Sequence, residues 1–522
     1  MTITVENPRT TGFVPWQIPL YVLALVAAFL TVLPVLSVQH LPLLDSAAHI
    51  ARIAVLRDLI ITGGGSPFYS VDTFLLPNIA FDIVGMGLVS ALEPETAGRV
   101  FFALTLVLTL TGTLVLNRVA IGRWSALPLV SSFLLFNLVS ILGFFSYIFG
   151  LALMLWALAI RLHLERSAWV WRIVFGVSAG VLLLMCHVFA FGIYAVMMTG
   201  IGLAAVTERR IGLRQLAGYG LEQIPACFLY LAMSAHQVGD VAYKMHFWQS
   251  KMFGLVKAFT SGSLAGDMAF VLGAVSFGVL LVTATRFRVA RPFWPGLAGL
   301  ALLYLALPFS LNSGYYVDSR MPIAIGLLAL AGTDMQIRRG VLSNVSLVVL
   351  SGSLLAKQLA LTILWTSVDP QIDSIVTALR ALPKNAIIMQ LECQPEESDV
   401  RNVYRSRQPP LTHVAALASL DGTRYLPKVF AIKGQQPIQV TPAYQPFYRA
   451  SQSFDSSVCT RKGYVDAISK VRNLAVAENK TRHPVHPLYL LLIRPPTFLM
   501  LENLAVRVAA GSVWEVYAIA AH

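Results

Sequence analysis

Between residues 15 and 365 the chain repeats apolar runs long enough to cross a bilayer, and the runs stop abruptly after Trp365. A hydrocarbon layer of about 30 Å demands about 20 apolar residues per helix, and only closed hydrogen-bonded structures survive there. Hydrophobic residues make up 56% of the 522-residue chain and charged residues 12%. That charged share is roughly half that of a soluble domain, so the reading of several soluble domains is excluded. The expected fold is an α-helical polytopic membrane protein of about eleven spans, followed by a C-terminal soluble α/β domain.

The expected spans cover 16–38, 99–117, 124–142, 145–160, 173–187, 188–206, 221–235, 268–285, 293–311, 321–334 and 341–365. The N-terminus has no basic region before its first apolar run, which therefore reads as a retained helix rather than a removed signal. With that terminus cytoplasmic, Arg118/Arg123, Arg161/Arg166/Arg172, Arg209/Arg210/Arg214, Arg286/Arg288/Arg291 and Arg338/Arg339 all fall inside. The tail after Trp365 then faces outward. The net charge of +13 is accounted for by these helix ends and by anionic headgroups, not by nucleic acid.

Segment 73–92 is apolar enough to be counted as a further span, but it contains Pro77, Asn78 and Asp82, and counting it would invert every later loop. It reads as a helix at the outer interface, which makes 39–96 one long external loop. The chain divides at residue 365: 1–365 is the membrane module and 366–522 the external domain. Helical spacing marks 371–382 and 464–476, and strand-like runs mark 386–391, 487–493, 504–509 and 514–519. The stretch 392–456, rich in Pro, Gln and Arg, reads as long loops. Cys186 and Cys227 fall in apolar runs as packing residues, whereas Cys393 and Cys459 are candidates for one disulfide in the external domain.

Chemistry concentrates on the outer side. In 41–61 (LPLLDSAAHIARIAVLRDLII) Asp45, His49 and Arg52 recur at i, i+4 and i+7, with Leu56 and Leu59 continuing the stripe. A carboxylate, an imidazole and a guanidinium on a face that seeks burial suit acid–base work. Asp45 before Ser-Ala-Ala equally suits a helix N-cap, and both readings stand at this point.

The pattern around it resembles the GT-C superfamily of integral-membrane glycosyltransferases, which includes protein O-mannosyltransferases and the enzymes that add aminoarabinose to lipid A. The similarity lies in an acidic residue just after the first helix and a Pro-containing interfacial helix leading into EPETAGR (93–99). A later span is broken by a Gly-aromatic stretch, NLVSILGFFSYIFG (137–150), which contains Tyr147. The resemblance covers the architecture of 16–365 and rests on few residues. It implies a polyprenyl-phosphate-linked sugar donor, a lipid, glycan or protein acceptor at the outer face of a bacterial-type cytoplasmic membrane, and Asp45 as base. Many members carry an acidic pair here; this chain has Asp45-Ser46 and then His49.

A phosphate-bearing donor needs cations near the outer surface. Segment 238–262 supplies Lys244 and Lys251 among aromatics, with snorkelling lysines of an interfacial helix as the bland reading. Segment 312–322 supplies Asp318 and Arg320, the latter either a phosphate ligand or half of an ion pair with Asp318 or Asp45. His187, at the outer end of its span, faces the same cavity or is a packed histidine. No GxxxxGK[ST], CxxC, HExxH or GxGxxG occurs, so no cofactor is indicated, and a single carboxylate neither establishes nor excludes a divalent metal. The expected function is sugar transfer; a lipid-linked glycan flippase and a non-catalytic scaffold for envelope assembly are the rivals.

Overall fold

The computed structural model describes residues 19–234, 241–244, 246–311, 314–338, 340–392, 411–452, 461–481, 486–494 and 505–519. Cys393 and Cys459, and with them the expected disulfide, lie outside these residues. Among them, six helices are long and apolar enough to cross a membrane: Pro94–Ile121, Phe145–Arg166, Trp169–Cys186, Val188–Thr207, Leu264–Val282 and Val341–Arg380. The chain is a multi-pass membrane protein.

In chain order the first helices are α1 (Leu20–Leu36), α2 (Ser46–Leu56), α3 (Ala80–Val89) and α4 (Pro94–Ile121). The short α5 (Ser132–Leu135) and α6 (Leu138–Ile141) precede α7 (Phe145–His163), α8 (Trp169–Cys186) and α9 (Val188–Thr207). Then come α10 (Leu213–Leu221), α11 (Ile224–Ser234), α12 (Phe247–Ala258), α13 (Leu264–Val282), α14 (Trp294–Ala306), α15 (Met321–Ala331) and α16 (Val341–Arg380).

Several expected spans are shorter than the sequence suggested. α14 and α15 have 13 and 11 residues, which at 1.5 Å per residue is shorter than the expected spans at 293–311 and 321–334. Proline sets the start of α14 and α15, and Leu307, followed by Pro308, ends α14 with an extended backbone. Segment 73–92 forms only the ten-residue α3, too short to span.

The expected span at 124–142 is broken, and two side chains satisfy the interrupted backbone. Asn137 accepts hydrogen bonds from the amides of Val139 (2.8 Å) and Ser140 (3.2 Å) and donates to the Leu134 carbonyl (2.7 Å). Lys357, fully buried in α16, donates to the carbonyls of Phe133 (2.6 Å) and Phe136 (3.0 Å). Carbonyls without such partners in an apolar surround cost several kcal/mol each, of the order of 2–7. The break ends at Gly143, whose φ of +79° turns the chain into α7.

α16 runs for 40 residues, roughly 60 Å, straight through Pro370, so the helix expected at 371–382 is its continuation. Beyond it, β2 (Ile387–Glu392) pairs in parallel with β4 (Leu488–Ile493); β4 pairs antiparallel with β6 (Trp514–Ile519), and β6 antiparallel with β5 (Ala505–Ala510). Of the stretch expected as long loops, the described part, 411–452, is folded. It holds a 3-10 helix at Val414–Ser419 and a strand, β3 (Ile438–Val440), antiparallel to β1 (Tyr69–Val71). The 3-10 helix packs on α2. Tyr69 donates to the Leu426 carbonyl (2.9 Å), and Asp72 accepts from the Gly434 amide (2.9 Å). These bonds fasten the C-terminal residues over the segment that carries Asp45.

Candidate active site

Asp45 is set by the broken helix. The amides of Leu44 and Asp45 donate to the carbonyls of Ile141 (2.9 Å) and Leu142 (3.1 Å). A Cβ on Gly143 would stand 3.1 Å from the amide nitrogens of both Asp45 and Ser46, a crowded contact at a positive φ that glycine avoids. Asp45 occupies the N-cap position of α2, yet its side chain makes no capping hydrogen bond. The carboxyl group is therefore free for another use. Burial pushes it up to about 7, against the opposing charges of Arg52 and Arg320.

His49 lies one turn further on, between the rings of Phe81, Phe145 and Phe430, with centroids 5.3–5.7 Å away. Its Nδ1 is 3.1 Å from Nη2 of Arg52. A guanidinium only donates, so Nδ1 accepts and the proton sits on Nε2. Burial, reinforced by Arg52 and His413, holds His49 well below the usual imidazole range and keeps it neutral.

The sequence makes Arg52 a candidate cation for the donor phosphate, and in the structure it already has a carboxylate partner. Arg52 and Asp82 of α3 are both buried and form a bidentate pair, with Nη2 to Oδ2 at 2.9 Å. The guanidinium that the helical stripe placed beside Asp45 is spent on joining α2 to α3.

Arg320 is different. Its guanidinium carbon sits over the rings of Phe144 (4.7 Å), Phe189 (5.1 Å) and Tyr147 (5.9 Å). It is 8% exposed, its Nε lacks a hydrogen-bond partner, and no carboxylate pairs with it among the described residues. Burial lowers it to about 10, while Tyr147, Asp45 and Asp318 pull the other way. The expected alternative, an ion pair with Asp318 or Asp45, is not formed among the described residues, and Asp318 has another cation. Tyr147 donates its hydroxyl to the Arg320 carbonyl (2.7 Å) and fixes the turn. His187 caps α9 by accepting from the Phe189 amide (3.1 Å) and packs edge-on against Tyr147.

That cation is Lys251, buried on the inner face of α12. It donates to Asp318 (2.8 Å) and to the Leu307 carbonyl (2.6 Å). Lys251 is thus buried and paired, not a snorkelling lysine of an interfacial helix. The outer face of α12 exposes Trp248, Met252, Phe253 and Val256. Lys244 is exposed, with its ammonium 4.0 Å from the centre of the Phe309 ring.

One residue was not legible in the sequence. His413, just before the 3-10 helix, places Nε2 3.5 Å from Oδ1 of Asp45 and Nδ1 3.1 Å from the Lys428 carbonyl. Its ring also contacts Phe430. Among the described residues, no group of three His, Cys, Asp or Glu side chains is placed to hold a metal ion.

No protein-family model matches the chain, and no curated protein matches it in sequence. Among solved structures it is similar to the arabinofuranosyltransferase AftD from Mycobacteria, at 16% identity and a TM-score of 0.48, over 96% of this chain and 40% of that one. It is also similar to ArnT from Cupriavidus metallidurans bound to undecaprenyl phosphate, at 14% identity and a TM-score of 0.47, over 96% of this chain and 97% of that one. The chain thus spans well under half of the AftD chain's length.

Proposed function

We propose that this protein is a GT-C-type glycosyltransferase. It moves a sugar from a polyprenyl-phosphate-linked donor to a lipid, glycan or protein acceptor at the outer face of the cytoplasmic membrane. The observation that carries the reading is the pairing of unlike groups at one site. An uncapped, half-buried carboxyl of Asp45 titrating at about 7 lies within the field of a buried Arg320 guanidinium that lacks a carboxylate partner. A general base works best near the operating pH, and a desolvated cation stabilises a leaving phosphate.

In this reading the acceptor hydroxyl oxygen bonds to the anomeric carbon while the bond from that carbon to the phosphate oxygen breaks. The hydroxyl proton passes to Asp45, and Arg320 receives the charge that develops on the phosphate. The aromatic rings around Arg320 exclude water and keep the guanidinium oriented. Arg52 and Lys251 position the site rather than touch the donor, the first through Asp82 and the second through Asp318. The N-terminus is cytoplasmic and α2, α3 and the C-terminal sheet are external, following the placement of the arginine clusters. Purified protein in vesicles, supplied with polyprenyl-phosphate sugars, tests the proposal through formation of a new glycosidic bond. Movement of the lipid-linked sugar without that bond would favour the flippase reading.

A further inference from the structure

The geometry points to His413 as the proton partner of Asp45, a positioning residue by which the C-terminal half of the chain controls when the base is free to act. The inference rests on the reading of Asp45 as the base. It begins with the tautomer. A carbonyl oxygen only accepts, so the contact from Nδ1 to the Lys428 carbonyl (3.1 Å) places a proton on Nδ1. In the neutral ring, Nε2 is then a bare lone pair, and it faces Oδ1 of Asp45 at 3.5 Å.

Two acceptors aimed at each other repel unless a proton lies between them. That proton resides either on Asp45 or on an imidazolium. The charged groups around the pair decide which. Burial is the largest influence on His413, and with the Lys428 charge it drives the ring down to about 3. Arg52 and Arg320 add positive charge on the Asp45 side, and His49 is neutral with its own Nδ1 engaged by Arg52. The imidazolium is therefore disfavoured. The proton is assigned to Asp45, with Nε2 of His413 as the nearby acceptor across the 3.5 Å contact, and burial supports that acid form.

The consequence is directional. His413 stabilises protonated Asp45 and so opposes Arg52 and Arg320, which stabilise the carboxylate. Once ionised, Asp45 takes the acceptor's proton, and His413 then favours the acid form so produced, with no proton passing to the imidazole. Because His413, Phe430 and the 3-10 helix all lie on or beside α2, the constellation is incomplete without residues 411–430.

The test compares H413Q and H413N. The Gln amide presents a donor where Nε2 stood, and Asn keeps a donor near the Lys428 carbonyl while opening the space beside Asp45. In both, the acidic limb of the pH–rate profile should move to lower pH by about one unit or more. A limb that stays in place while the rate falls would make His413 merely structural and overturn the inference. Infrared titration of the carboxylic-acid stretch, assigned by its loss in D45N, gives a readout independent of sugar transfer. The unaltered protein should keep that band up to near-neutral pH; full ionisation already at about pH 5 would overturn the pairing. Absence of transfer by the unaltered protein would instead refute Asp45 as a base, leaving the infrared result to judge His413 alone.

Discussion

Arg52 presents two nitrogens to the two carboxylate oxygens of Asp82, and that buried pair ties the helix that begins at Asp45 to α3. Removing one partner leaves an uncompensated charge in an apolar site. D82N or R52M alone should therefore cost about 3–5 kcal/mol of stability. The double variant D82L/R52M should recover most of it, since replacing a whole buried pair with apolar groups is often close to neutral. Thermal unfolding in detergent checks both. Single variants as stable as the parent would show that the pair is not holding the two helices.

Arg320 should respond in the opposite way. Its guanidinium has no carboxylate partner among the described residues and its Nε is unsatisfied, so R320M removes a desolvation cost and should leave stability unchanged or slightly raised. Donor binding should weaken at least about tenfold. Equilibrium binding of a polyprenyl phosphate, measured beside unfolding, separates the two effects. Normal donor affinity in a folded R320M protein would remove Arg320 from the phosphate site.

Gly143 is a sharper probe of position. At its φ of +79° an alanine costs about 1–2 kcal/mol, and the new methyl would meet the amides of Asp45 and Ser46. G143A should fold with that modest penalty yet lose sugar transfer far more than stability, because α2 must shift to clear the clash. Transfer rates and melting temperatures measured on the same preparation decide it; a rate loss no larger than the stability loss would mean the site tolerates the shift.

The membrane class and the Asp45–His49–Arg52 stripe were legible because both follow from local rules, apolar length in one case and the 3.6-residue period in the other. The short α3 was legible because Asp82 made a spanning reading costly. What that aspartate pairs with was not, since the contact joins residues 30 positions apart through packing. The break in the helix before Gly143 carried a signal in its Gly-aromatic run, but its support by Lys357 required the fold. His413 left no trace, because it sits in a Pro-, Gln- and Arg-rich stretch with no period. It reaches Asp45 because the 3-10 helix that follows it packs on α2, a contact set by long-range topology rather than by neighbouring sequence.

The most direct measurement is glycosyl transfer by D45N. The side chain keeps its size and makes no capping bond to lose, so the folded protein should melt within about 1 kcal/mol of the parent. With no base to take the acceptor's proton, transfer should fall by about 10²–10⁴-fold while donor binding persists. The parent's rate should rise with pH through about 7, where Asp45 ionises. A folded D45N protein that transfers sugar at the parental rate would contradict the account.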